Sequence, residues 1–79
     1  SKEISDLAIY LLKNGASTLF EIQSGLKLSF ENAKNYLIIM LQNNLVEKVQ
    51  ITRNDTKMIS YEIKLEQILN ILFYSEFSL

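Results

Sequence analysis

The stretch from Ser29 to Val46, SFENAKNYLIIMLQNNLV, constrains this chain most, because its hydrophobic period changes at one end. At roughly 100° per residue, Phe30, Ala33, Leu37, Met40, Leu41 and Asn44 fall on one side of a helix. That stripe is apolar except at Asn44 and needs a core to cover it. Ser29 suits the N-cap, where its hydroxyl can accept from a free N–H of the first turn. Asn43 and Asn44 suit the exit, since Asn tolerates the left-handed conformation that often stops a helix. Beyond them the period shortens to that of a strand. The opposite side of the helix carries Asn32, Asn35, Ile39 and Gln42, and what that side touches is the main functional question.

The preceding segments fit around this helix. In EISDLAIYLLKN, residues 3–14, Ile4, Leu7, Ala8, Leu11 and Leu12 follow the helical i, i+3, i+4, i+7, i+8 pattern. Gly15 follows as a natural stop. Ala16 to Thr18 form a short, extended connection. Ser17 or Thr18 caps a second helix, TLFEIQSGL, and Thr18 with Glu21 has capping-box spacing. Leu19 and Ile22 face its core side, and Gly25 ends it after about two turns. Lys27 and Leu28 are the turn into Ser29, which completes a helix-turn-helix layout.

After Asn44 the pattern becomes β-like. Val49 and Ile51 share one face against Lys48, Gln50 and Thr52. Past the polar cluster Asn54-Asp55-Thr56-Lys57, Met58, Ser60 and Glu62 alternate with Ile59, Tyr61 and Ile63. The reading is a hairpin whose tip spans Arg53 to Lys57. A fourth helix follows, with Leu65, Ile68, Leu69 and Leu72 on one face. The predicted fold class is therefore α+β, mainly α: a winged helix with a three-helix core, a β-hairpin wing and a C-terminal fourth helix. Seventy-nine residues are one domain, 1–79. The apolar end, Phe73, Tyr74, Phe77 and Leu79, suggests a fragment of a longer protein, with these aromatics packing on the next domain.

Composition narrows the chemistry. The chain has no Cys and no His, so it offers neither a thiol nucleophile nor the usual general base and metal ligand. Gly15 and Gly25 stand too far apart for a phosphate loop. Glu62 and Glu66 read as surface charges. No catalytic constellation is visible, and the expectation is a non-enzyme without cofactor, metal or small-molecule substrate. No run of about 18 apolar residues exists to span a membrane, and no signal segment opens the chain. The net charge of −1, from 8 Lys+Arg and 9 Asp+Glu, argues mildly against strong autonomous DNA binding.

Two sets of residues are candidates for contact. On the outward face of the third helix, Asn32, Asn35 and Gln42 are the amide types that read adenine, while Ile39, with Ile38 beside it, suits a protein contact better than a phosphate. An alternative is that the hairpin folds over Ile38 and Ile39 as satellite core. Lys27, Lys48, Arg53 and Lys57 form a thin basic strip along turn and wing, with Lys34 at one flank of the third helix. These five are candidate nucleic-acid contacts. The alternative is a solvated hairpin edge, protected by lysine against edge pairing. Tyr10, Tyr36, Tyr61 and Tyr74 read as half-buried core.

These residues resemble a known family. The run LFEIQSGLKLSFENAKNYLIIMLQNNLVEKV, with YEIKLEQILNILFYSEF, is similar to the N-terminal helix-turn-helix domain of a DNA-directed RNA polymerase III protein, the large winged-helix member of that polymerase's initiation heterotrimer. The resemblance lies in Thr18, Leu19, Glu21 and Ile22 of the second helix. It continues through Leu28-Ser29, Ala33, Leu37 and Leu41-Gln42-Asn43-Asn44-Leu45-Val46, and ends in Tyr61 through Phe77. It covers roughly residues 4–77. The family's His stands here as Asn43, and its late Pro and Arg as Ser75 and Glu76. The resemblance implies a non-catalytic part of a nuclear polymerase that contacts the other heterotrimer members and the clamp and helps open promoters. Promoter DNA is a further candidate partner. The alternative reading is a DNA-binding winged-helix regulator, and a third a dimerising one that pairs through its first and fourth helices.

Overall fold

The computed structural model describes residues 1–77, with side chains described through Asn70 and at Phe73. The order is α1 (Lys2–Asn14), α2 (Leu19–Leu26), α3 (Phe30–Gln42), β1 (Val46–Arg53), β2 (Thr56–Ile63) and α4 (Leu65–Phe77). This is the winged-helix layout.

Each of the first three helices starts on a side-chain cap. The Ser1 hydroxyl accepts from the Ile4 N–H and the Ser29 hydroxyl from the Asn32 N–H. Thr18 and Glu21 form a full capping box: the Glu21 N–H donates to Thr18 Oγ1 at 3.1 Å, and the Thr18 N–H to Glu21 Oε1 at 2.8 Å. The helix ends differ more. Gly15 has φ 75° and ψ −163°, a conformation open essentially to glycine alone. Helix α2 does not end at Gly25. It runs on to Leu26, and Lys27 takes the left-handed turn at φ 55°. Gly25 is needed for a different reason, since the Tyr10 ring lies against its bare Cα and the Tyr10 hydroxyl donates to the Glu21 carbonyl at 3.1 Å.

The exit of α3 explains how a helix becomes a strand within three residues. Asn44 adopts φ 60°, the Asn44 N–H donates to the Leu41 carbonyl, and the Leu45 N–H reaches back to the Met40 carbonyl at 2.8 Å. This double closure is the Schellman arrangement, with Asn44 where glycine usually stands. Lys64 then ties the far end of the hairpin to the same corner, its N–H to the Leu45 carbonyl and its Nζ to Asn44 Oδ1.

The core comprises Leu7 and Leu11 of α1, Ile22 of α2, Ala33, Leu37 and Met40 of α3, Val46 of β1 and Ile63 of β2. Tyr10, Tyr36 and Tyr61 pack around it, half-buried, while the side chain of Tyr74 lies outside those described. Strands β1 and β2 are antiparallel, with Val46 opposite Ile63 and Arg53 opposite Thr56. The tip is tighter than the four-residue cluster suggested: Asn54 and Asp55 alone make the turn, at φ 51° and 63°, the pattern of a two-residue hairpin. Ser17 adds a single bridge to Tyr61, exchanging both backbone hydrogen bonds, at 3.0 and 2.8 Å.

Four assignments to the core are corrected. Leu12 is exposed, because the buried line of α1 runs through Leu7 and Leu11 and Leu12 lies about 100° round the helix from Leu11. Phe30 is exposed, because as the first residue of α3 it precedes the turn that meets α1 and α2, and the Lys34 ammonium lies 5.9 Å from its ring centre. Asn44 is exposed because it belongs to the turn and not to the helical wheel. In α4, Ile68 packs against the core, but Leu65 and Leu69 are exposed, and with Phe73 they form an apolar stripe at four-residue spacing. Leu72 of the same predicted face is outside the described side chains, and Leu79 outside the described residues.

Candidate interaction face

Helix α3 buries Ala33, Leu37 and Met40, and this fixes what it offers outward. Asn32, Asn35, Ile38, Ile39 and Gln42 lie on or beside that outward side; Ile38 is 40% and Ile39 41% exposed. The hairpin does not fold over the two isoleucines. The left-handed turn at Asn44 leads β1 away so that Val46, not a later wing residue, joins the α3 core. The satellite-core alternative is therefore overturned. The face holds two apolar branched side chains among three neutral amides, with Glu31 and Lys34 at its margin. Lys34 is the one cation of α3, and it is drawn over Phe30, an attraction of about 0.5–1 kcal/mol at an exposed site.

The predicted basic strip is divided by the pleat of the hairpin. Lys48 and Lys57 share a face: Lys57 pairs with Thr52, and Lys48 stands on the same side four residues up β1, about 14 Å away along the strand. Both are exposed. Lys27 occupies the α2–α3 turn. Arg53 points to the other face, along with Val49 and Ile51. There its guanidinium forms an ion pair with Glu21 through Nη1 and Oε2, and Nη2 donates to the Ala16 carbonyl at 3.4 Å. Arg53 is thus not part of a continuous strip. It fastens the wing to the start of α2.

Glu21 serves two partners, since its other oxygen accepts the Thr18 N–H. That backbone hydrogen bond, with Arg53 assisting, holds its carboxyl below the usual value of 4.5 against the opposing effect of burial. Beside the ion pair, Phe20, Asn54, Thr56 and Met58 line an open groove of about 460 Å³. Phe20 is 74% exposed. Sequence reasoning passes over both Phe20 and the Glu21–Arg53 pair. A signal for Phe20 is present: Leu19, Ile22 and Leu26 set the inward side of α2, which leaves Phe20 about 125° off its centre. The pair joins residues 32 apart in sequence and has no local signal.

Of the aromatic end, Phe73 is exposed, and the side chains of Tyr74 and Phe77 lie outside those described. Among the described residues no group of three Asp, Glu, His or Cys is placed to hold a metal ion, and no helix is long and apolar enough to cross a membrane.

Three helices, a hairpin wing and an exposed third-helix face define the chain as a winged-helix domain. No protein-family model matches it, and no curated protein does. Among solved structures it is similar to Stf76 from the Sulfolobus islandicus plasmid-virus pSSVx, with a TM-score of 0.69 and 20% sequence identity, over 89% of this chain and 91% of that one. At that identity the likeness concerns the fold.

Proposed function

We propose that this winged helix is a non-catalytic docking module of nuclear RNA polymerase III, acting in subunit assembly and transcription initiation. The carrying observation is the outward face of α3, where Ile38 and Ile39 stand exposed among neutral amides and the one helix cation is turned onto Phe30. A duplex-gripping face needs cations for phosphate. A protein interface instead centres on desolvated apolar side chains within a polar rim. The sequence resemblance supports the polymerase context, and its most distinctive segment, Leu41 to Val46, forms the α3 exit and the start of β1. Partners of this reading are the other members of the initiation heterotrimer and the clamp.

The test is Ile39→Asp. At 41% exposure the residue can take a charge without unfolding the domain. The variant should melt within a few degrees of wild type and lose about tenfold or more in affinity for the heterotrimer partners, as a central interface residue does. A collapsed melting transition would place Ile39 in the core and end this assignment.

The second reading, duplex DNA binding, is favoured by the outward placement of Asn32, Asn35 and Gln42 together with the exposed Lys48 and Lys57. Here α3 would read A·T pairs, with amides on adenine and isoleucine on the thymine methyl. Lys48→Glu with Lys57→Glu should then weaken DNA binding and flatten its salt slope by about 2. An unchanged slope removes this reading.

A further inference from the structure

We propose that Glu21 masks Arg53, so that the residue capping α2 also keeps the wing's arginine from nucleic-acid phosphate. Three observations carry this. Strand pleating puts Arg53 on the hairpin face turned toward α2, immediately before the Asn54–Asp55 turn, whereas Lys48 and Lys57 point to the opposite face. Glu21 is oriented beforehand: the capping box holds Oε1 on the Thr18 N–H and leaves Oε2 aimed at the guanidinium. The Ala16 carbonyl takes a second guanidinium nitrogen at 3.4 Å, so two acceptors on the approach to α2 hold the same cation. The pair is nonetheless partly open, with side chains 43% and 35% exposed, so a phosphate can reach and compete for it. Arginine is the residue type best shaped to take phosphate bidentately once released.

This inference goes beyond the docking reading and does not depend on it, because its test needs no polymerase partner. Glu21→Gln separates the two jobs of the residue. Glutamine serves in a capping box as glutamate does, so α2 keeps its start while the charge facing Arg53 disappears. Short duplex DNA is titrated, over a salt series from low to physiological, into wild type, Glu21→Gln and Glu21→Gln/Arg53→Gln. Glu21→Gln should bind about five- to tenfold more tightly at low salt, with a slope steeper by about 1, the signature of one added phosphate contact. The double variant should lose both gains. Equal behaviour of wild type and Glu21→Gln, including no binding by either, overturns the proposal. So does a gain that survives in the double variant, whose net charge equals that of wild type, since it then does not come from Arg53, and so does an equal gain from Glu47→Gln, which adds the same charge at an exposed position away from the pair.

Discussion

At the scale of single residues, three positions decide more than their chemistry suggests. Gly25 sits inside α2, where alanine would ordinarily gain about 1 kcal/mol in helix propensity. A Cβ there would stand 2.7 Å from Tyr10 Cζ and 2.8 Å from its hydroxyl oxygen, so the ring must move and release its hydrogen bond to the Glu21 carbonyl. Gly25→Ala should therefore destabilise by about 1–2 kcal/mol in urea unfolding. In a Tyr10→Ala background the same change should be neutral or stabilising. Ser60 is fully buried opposite Val49, and among the described residues its hydroxyl has no hydrogen-bond partner. Ser60→Ala removes a desolvated group that gains nothing in return. It should be neutral or raise stability by up to about 1 kcal/mol, read from the urea midpoint. These positions also show where sequence reading stops. Gly25 reads as a helix end because glycine commonly is one, yet its cause is a ring arriving from α1. Phe30, the third position, fits the apolar stripe of α3 by spacing, but a stripe does not reveal where along a helix the neighbouring elements begin.

At the scale of elements, the caps and turns are the most legible part. Ser29, the Thr18–Glu21 box, and the Asn pair closing α3 are local signals, and local hydrogen bonds honour them. Asn44 takes the left-handed position and also accepts from Lys64, so it joins α3, β1 and the start of α4 at one corner. Asn44→Ala should cost about 1 kcal/mol or more in urea unfolding, through backbone strain at φ 60° and the lost side-chain bond, whereas Asn44→Gly should cost less because only the second is lost. The wing is legible in parity but not in direction. Alternation already sets Arg53 with Val49 and Ile51 and off the Lys48 face, but only the register, with Thr52 opposite Lys57, puts Lys57 beside Lys48, and only the packing of wing on α2 brings Arg53 to Glu21. Glu21, through the Thr18 N–H first and Arg53 second, gives a pH signature. The Glu21 carboxyl is held below its ordinary value of 4.5, so its contribution is present above that value and is lost as pH falls through the lowered one. Between pH 6 and about 3 the melting temperature of wild type should fall more than that of Glu21→Gln. Parallel curves would show that Glu21 is not coupled to folding in this way.

At the scale of the whole molecule, the fold gathers part of its apolar side chains into one small core and leaves others outside. Ile38 and Ile39 on α3, Phe20 and Met58 along the wing groove, and Leu65 and Leu69 on α4 are all substantially exposed. Single exposed apolar residues are common on proteins. The α3 pair differs in standing at the centre of a face that, in a helix-turn-helix, is the usual reading surface. The apolar stripe identifies that face from sequence because the buried side is strict enough to fix its opposite. The described residues leave that face exposed, so neither periodicity nor packing names a partner for it. The most direct measurement is affinity for the proposed partners, the polymerase III initiation proteins, comparing wild type with Ile39→Asp after both are shown to melt alike. The predicted result is a wild-type complex that the aspartate weakens about tenfold or more. Equal binding by both proteins, or none by wild type, would contradict it.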